Sequence, residues 1–219
     1  DLQGGGGEMT YIENIFLCLA LPPILSLFFT SGGARRFMLF FTIGMSACLL
    51  SAYVSSFFMG YYGTDAGVAA AEIAPVCEEI MKLIPLVFYF LIFEPNTEKL
   101  PAAAIAIAVG FATFENACYL TENGAENLSF MLIRGVSAGA LHLLCGIAAG
   151  FGIAQVFRRR WLAVTGTAGI LGACTAMHAI YNLLISAEGA WQTAGYLIPS
   201  IAIVCLFIGK LALKKRINL

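Results

Sequence analysis

Apolar residues run along the chain in seven long blocks separated by short polar breaks, at about 12–30, 37–59, 72–93, 100–121, 129–157, 161–187 and 190–213. Each block is near the ~20 residues that a helix needs to cross the hydrocarbon core of a bilayer. The pattern predicts an all-α, polytopic membrane protein with about seven transmembrane helices. Pro22-Pro23 inside the first block predicts a kink or a local break. The fifth block is longer than a crossing needs, so its helix should tilt or protrude. No internal repeat, low-complexity tract or linker interrupts the pattern. Residues 1–8, with Gly4 to Gly7, read as an expression scar ahead of Met9, and residues 9–219 as one helical domain with its functional core at 72–187. No cleavable signal peptide is evident, because the first block is long enough to stay as a span.

Polar residues inside the blocks break this monotony. The third carries Glu72-Ile-Ala-Pro-Val-Cys-Glu78-Glu79-Ile-Met-Lys82. Glu78 and Lys82 are i,i+4 and Glu79 and Lys82 are i,i+3, so all three can share one helix face. An ion pair accounts for Lys82 and one carboxylate; the second asks for a proton, a metal or a substrate. The fourth block carries Glu115, Asn116 and, one turn on, Tyr119; the fifth carries His142. Around His142, Gly135, Gly139, Gly146 and Gly150 form a small-residue stripe that lets a neighbouring helix come close. The sixth carries His178 and Asn182, again i,i+4. The chain has only two histidines, and both lie inside apolar blocks. Ionisable groups are expensive at that depth, so a functional site is the default reading. Arg134, near one end of the fifth block, fits an interface anchor, a partner for Glu115 or a ligand for a substrate carbonyl.

Composition and charge sharpen the class. Hydrophobic residues make up 60% of the 219, charged residues 11%, and the mean hydropathy is +0.86. Those values exclude a soluble domain of this size. The net charge of −1 says little, whereas its distribution sets an orientation. Arg35 and Arg36, Lys99, Arg158 to Arg160, and Lys214 to Arg216 fall in alternate breaks or after the last block, and the intervening breaks contain no Lys or Arg. The positive-inside rule then puts the N-terminus outside and the C-terminus in the cytoplasm. Seven cysteines fall one to a block with no CxxC pair. They suit helix packing, though Cys77, Cys118, Cys145 and Cys174 lie near enough to the polar residues to offer a sulfur ligand.

Depth decides whether the polar residues can meet. Counted from the outer ends at 1.5 Å per residue, Glu78 and Glu79 come about 8–10 Å deep, Glu115 about 8 Å and His178 about 10 Å. His142 comes roughly 18 Å deep from Phe130, or about 12 Å from Arg134. A common site in the outer half therefore requires the fifth helix to start late or to tilt. Carboxylates and imidazoles in a half-buried pocket suit the activation of water for attack on a carbonyl. Burial makes a carboxylate a stronger base, and His and Asn can stabilise an oxyanion. Alternatively, His142, His178 and Glu115 or Glu78 can hold a divalent metal, zinc first among the candidates. There is no HExxH.

The order Glu78-Glu79-x-x-Lys82, Phe111-x-x-x-Glu115-Asn116, His142 followed by Gly150, and His178-x-x-x-Asn182 resembles the PrsW family of intramembrane proteases, related to the CAAX prenyl endopeptidases and bacteriocin-processing enzymes. The resemblance covers the third to sixth blocks. The CAAX branch shows an Arg four positions after its paired Glu and a His in the second motif. Lys82 and Glu115-Asn116 stand here instead, which favours the PrsW branch. The resemblance implies a multi-pass protease of the bacterial cell membrane that cleaves a membrane-anchored protein, such as an anti-sigma factor, near the extracytoplasmic face to start stress signalling. It implies catalytic roles for Glu78, Glu79, His142, His178 and Asn182, with Lys82, Glu115, Asn116, Tyr119 and Arg134 in support. Its partners would be the substrate and the lipid bilayer, not nucleic acid. A glutamate-type scheme without metal and a metal-dependent one both remain open; Asn182, a donor on the same face as His178, inclines the reading to the first. Two other classes compete. A proton-coupled transporter would use the same residues as a relay, but no inverted repeat or inner polar path accompanies them. A non-catalytic scaffold would not need every motif intact.

Overall fold

The computed structural model describes residues 12–93, 96–123 and 128–217, so the 1–8 segment lies outside it. Every regular element among them is helical. In chain order these are α1 (Ile12–Ser26), α2 (Gly32–Tyr62), α3 (Ala66–Val68), a π-helical turn (Ala69–Ile73), α4 (Ala74–Ile92), α5 (Leu100–Asn123), α6 (Leu128–Phe157), α7 (Ala163–Ser186) and α8 (Ala190–Ile217). Single 3-10 turns precede α5 and α7. Among the described residues, five helices are long and apolar enough to cross a membrane: α2, α5, α6, α7 and α8. α1 has 15 residues, short of the ~20 for a full crossing. α4 carries the three charges that set it apart. Helix α1 runs through Pro22 and Pro23 and ends three residues later, so the expected break is not inside it.

Local chemistry explains the ends that matter. Gly63 sits at φ 64°, where its N–H bonds Met59 O and stops α2; only glycine adopts that region freely. The Asp65 carboxylate then accepts from Val68 N at 2.9 Å and starts α3. From there the backbone stays helical to Ile92.

α5 is the centre of the bundle. It packs on α2, α6, α4 and α1, and Leu100, Ala103, Ala104, Ala106, Ile107, Ala108, Phe111 and Phe114 along it are buried. With no hydrophobic effect between helices in lipid, close approach does the work, and small residues permit it. A methyl group on Gly44 of α2 would fall on the Ile107 carbonyl, and one on Gly110 of α5 on the Phe41 carbonyl. On α6, a Cβ at Gly146 would lie 2.6 Å from Ala108 Cβ, and one at Gly150 2.7 Å from Pro101 Cα. The expected stripe is thus only partly a helix contact. Gly135 faces the Asn116 amide, and Gly139 faces open space. Large apolar residues elsewhere, such as Phe88, Leu91, Ile180 and most of α8, point outward, as lipid-facing positions do.

Candidate active site

Four helices deliver the polar side chains to one place. Glu78, Glu79 and Lys82 come from α4, Glu115 and Asn116 from α5, Arg134 and His142 from α6, and His178 from α7. Glu79, Lys82, His142 and His178 are each less than a tenth exposed. Glu115 and His178 each sit about 12 Å from the C-terminal end of their helix and about 22 Å from its start. His142 lies about 21 Å from the start of the 30-residue α6, near its middle.

Hydrogen bonds fix which atom faces which. Lys82 Nζ donates to Glu79 Oε1 at 2.6 Å and to His142 Nδ1 at 2.9 Å. An ammonium only donates, so Nδ1 of His142 accepts and Nε2 carries the proton. That Nε2–H meets Glu115 Oε2. The other Glu115 oxygen pairs with Arg134 at 3.2 Å, and Arg134 also donates to Asn116 Oδ1 at 3.0 Å. Asn116 in turn donates to Gly135 O at 3.3 Å. The Arg134 guanidinium lies 3.6 Å over the Tyr119 ring, so Tyr119 bears on Glu115 through Arg134.

His178 is oriented from the opposite side. Its Nδ1 lies 2.9 Å from Glu79 Oε1, a carboxylate that only accepts, so Nδ1 carries the proton. In the neutral imidazole the lone pair is then at Nε2, 3.7 Å from Glu78 Oε2. Glu78 Oε2 is buried and has no hydrogen-bond partner. Two acceptors thus face each other with no donor between them, an arrangement that a bridging donor or a cation would relieve, since an orphan buried acceptor is costly. The imidazoles of His142 and His178 stand edge to face, centroids 5.1 Å apart. Phe111 forms an apolar wall, 4.3 Å from Lys82 Nζ and 5.1 Å from the His142 ring.

Asn182 stands apart. Its amide donates to Ala70 O in the π-helical turn at 2.9 Å, not toward the gap between Glu78 and His178. The sequence also gave no hint that Ser137 and Tyr181 would join α6 to α7 by a 2.9 Å hydrogen bond. Pro75 is the one local sign of the π-helical turn beneath Asn182.

Among the described residues, two groups bring metal-ligating atoms within 4.8 Å of one another: Glu78, His142 and His178, and Glu79, Cys145 and Cys174. The first is a nitrogen and oxygen set of the kind zinc accepts. Glu78 Oε2 and His178 Nε2 face the same point, and His142 Nε2 would join them once it leaves Glu115 and its proton moves to Nδ1 in exchange for the Lys82 contact, so the residue types fit a metal ion. In the second, Glu79 already holds Lys82 and His178. There each thiol donates to the other helix's carbonyl, Cys145 to Cys174 O at 3.8 Å and Cys174 to Cys145 O at 3.6 Å. Of the other two cysteines near the motifs, Cys77 is buried and Cys118 half-buried.

No curated protein and no solved structure matches the chain. The family model for the PrsW family intramembrane metalloprotease matches residues 33–210, from the start of α2 into α8, and so takes in every polar residue described above. An all-helical multi-pass membrane protein with paired carboxylates and two histidines converging inside the bundle, matched over that length, belongs to the PrsW family of intramembrane proteases and is a peptide hydrolase.

Proposed function

We propose that the protein cuts a membrane-anchored protein, such as an anti-sigma factor, near the extracytoplasmic face of a bacterial cell membrane. In this reading α1 and the α3–α4 stretch complete seven spans, the N-terminus is outside and the C-terminus cytoplasmic. The observation that carries it is the unpartnered Glu78 Oε2, 3.7 Å from the Nε2 lone pair of His178.

Water seated between these two acceptors presents one proton to each. Glu78 takes a proton as water adds to the scissile carbonyl, and later delivers it to the departing amide nitrogen. Glu79 keeps His178 in the tautomer whose Nε2 accepts. On the other side the His142 N–H is held by Glu115, itself paired with Arg134, and turns to an oxyanion only on leaving that carboxylate, with the Lys82 charge behind it. The hydrogen bonds thus favour His142 over His178 on the oxyanion side. A zinc ion held by Glu78, His142 and His178 would supply Lewis acidity and a more acidic bound water in the same gap. The same residues serve either version.

Purified protein in lipid vesicles with a single-pass substrate tests the reading. Glu78→Gln should lower cleavage by about 10²–10⁴-fold, the usual share of a general base, with unchanged melting. A variant with Glu78 and Glu79 both changed to Gln that still cleaves would remove the proposal. Metal content measured on the same active preparation separates the two versions.

A further inference from the structure

We infer that Asn182 is a positioning residue: its side chain clamps the backbone carbonyl that the π-helical turn leaves open, and thereby sets the direction in which Glu78 and Glu79 leave α4. The inference rests on the protease reading for its consequence, but its geometry stands separately.

A carbonyl in this stretch has few donors to choose from. The Ala74 N–H bonds Ala69 O, five residues back, which is the π pattern. The next donor in that register would be residue 75 for Ala70 O, and Pro75 has no N–H. The proline ring also crowds the carbonyl four residues before it, which is a standard cause of helix opening. Ala70 O is thus left without a backbone partner in this register. The Asn182 amide fills the vacancy from α7 at 2.9 Å. The bond lies at an exposed part of the turn and ties it to α7, so the turn and Asn182 hold one another in place.

The consequence reaches the catalytic carboxylates. A π turn adds one residue to a helical turn and so rotates everything after it by about 100° relative to an unbroken α-helix. Glu78 follows only three residues after Pro75. Loss of the clamp would let this stretch return toward α-helical register and swing Glu78 away from His178. His178 itself lies one turn before Asn182 on α7, so a single helix face fixes both the imidazole and the backbone that carries its carboxylate partner. In this arrangement the Asn182 amide is committed to Ala70 O.

The test combines cleavage kinetics with deuterium uptake in the reconstituted protein. Asn182→Ala and Asn182→Asp, which cannot donate, should lower kcat by about 10–100-fold with KM little changed, the penalty for misplacing a reacting group by around an ångström. Both should raise uptake in the 66–77 segment and leave other segments unchanged. An Asn182→Ala or Asn182→Asp protein with wild-type uptake at 66–77 overturns the clamp, whatever its rate. Wild-type protein that cleaves no membrane substrate would remove the protease reading, while the uptake results would still decide the clamp.

Discussion

Lys82 is where the two halves of the site meet. Its ammonium touches Glu79 on one side and His142 on the other, and it is buried with both. One cation therefore balances a carboxylate that also orients His178, and sets the tautomer of the second imidazole. Removing it with Lys82→Met should cost about 3–5 kcal/mol, because a buried charge is left without its partner. Cleavage should fall as well. Removing both charges with Lys82→Met and Glu79→Gln should recover most of that stability, since an apolar or neutral pair is often tolerated where a broken pair is not. It should not recover cleavage, because His178 then loses its fixed Nδ1 partner. Unfolding in detergent followed beside the cleavage rate separates the two effects. If the double variant is as unstable as the single one, Lys82 acts by packing rather than by charge.

At the level of elements, α5 governs how closely the others come. Gly44 and Gly110 put α2 and α5 backbone to backbone, and Phe111 and Glu115 follow directly on that crossing. Gly110→Ala should destabilise by about 1–3 kcal/mol through overpacking. Gly172→Ala, where an added Cβ meets nothing within 4 Å, should be neutral or slightly stabilising, because alanine favours the helix by about 1 kcal/mol. Melting temperatures of the two variants check the contrast, and equal shifts would remove the crossing from the explanation. These elements also mark what the sequence could say. Glu78, Glu79, Lys82, Glu115, His142 and His178 stood out because a charge or imidazole in an apolar run is visible without any coordinates. Helix positions were visible for the same reason of hydropathy. The centrality of α5 was not, since Ala102 to Ala108 reads as an ordinary apolar stretch and its importance lies in what fits against it. The π-helical turn was hidden too. Pro75 signalled some irregularity, but the partner of Ala70 O is 112 residues away. The face of Asn182 could be read, and the group it meets could not.

The whole molecule is polar in the sense of having two unlike ends. At one, Arg158 donates to Thr97 at 3.4 Å, which brings the segment after α6 beside the segment before α5. Arg35 and Arg36 line a cavity with Tyr89 near the end of α4, and Lys214 and Lys215 close α8. The polar cluster lies toward the other end, near the C-terminal ends of α5 and α7; after α7 no Lys or Arg follows until Lys210 within α8, and after α5 the first among the described residues is Arg134, which pairs with Glu115. Basic residues are retained on the cytoplasmic side during insertion, so this arrangement supports a site opening outward. It can be read directly. In a background without the exposed Cys18 and Cys205, Glu188→Cys, after α7, should react with a membrane-impermeant maleimide added to intact cells. Glu98→Cys, before α5, should react only after the cells are opened. Both positions are exposed, so a lack of labelling reports the side of the membrane and not burial. The reverse pattern would turn the polar cluster toward the cytoplasm, and in the protease reading the substrate would then have to present its cleaved bond from that side.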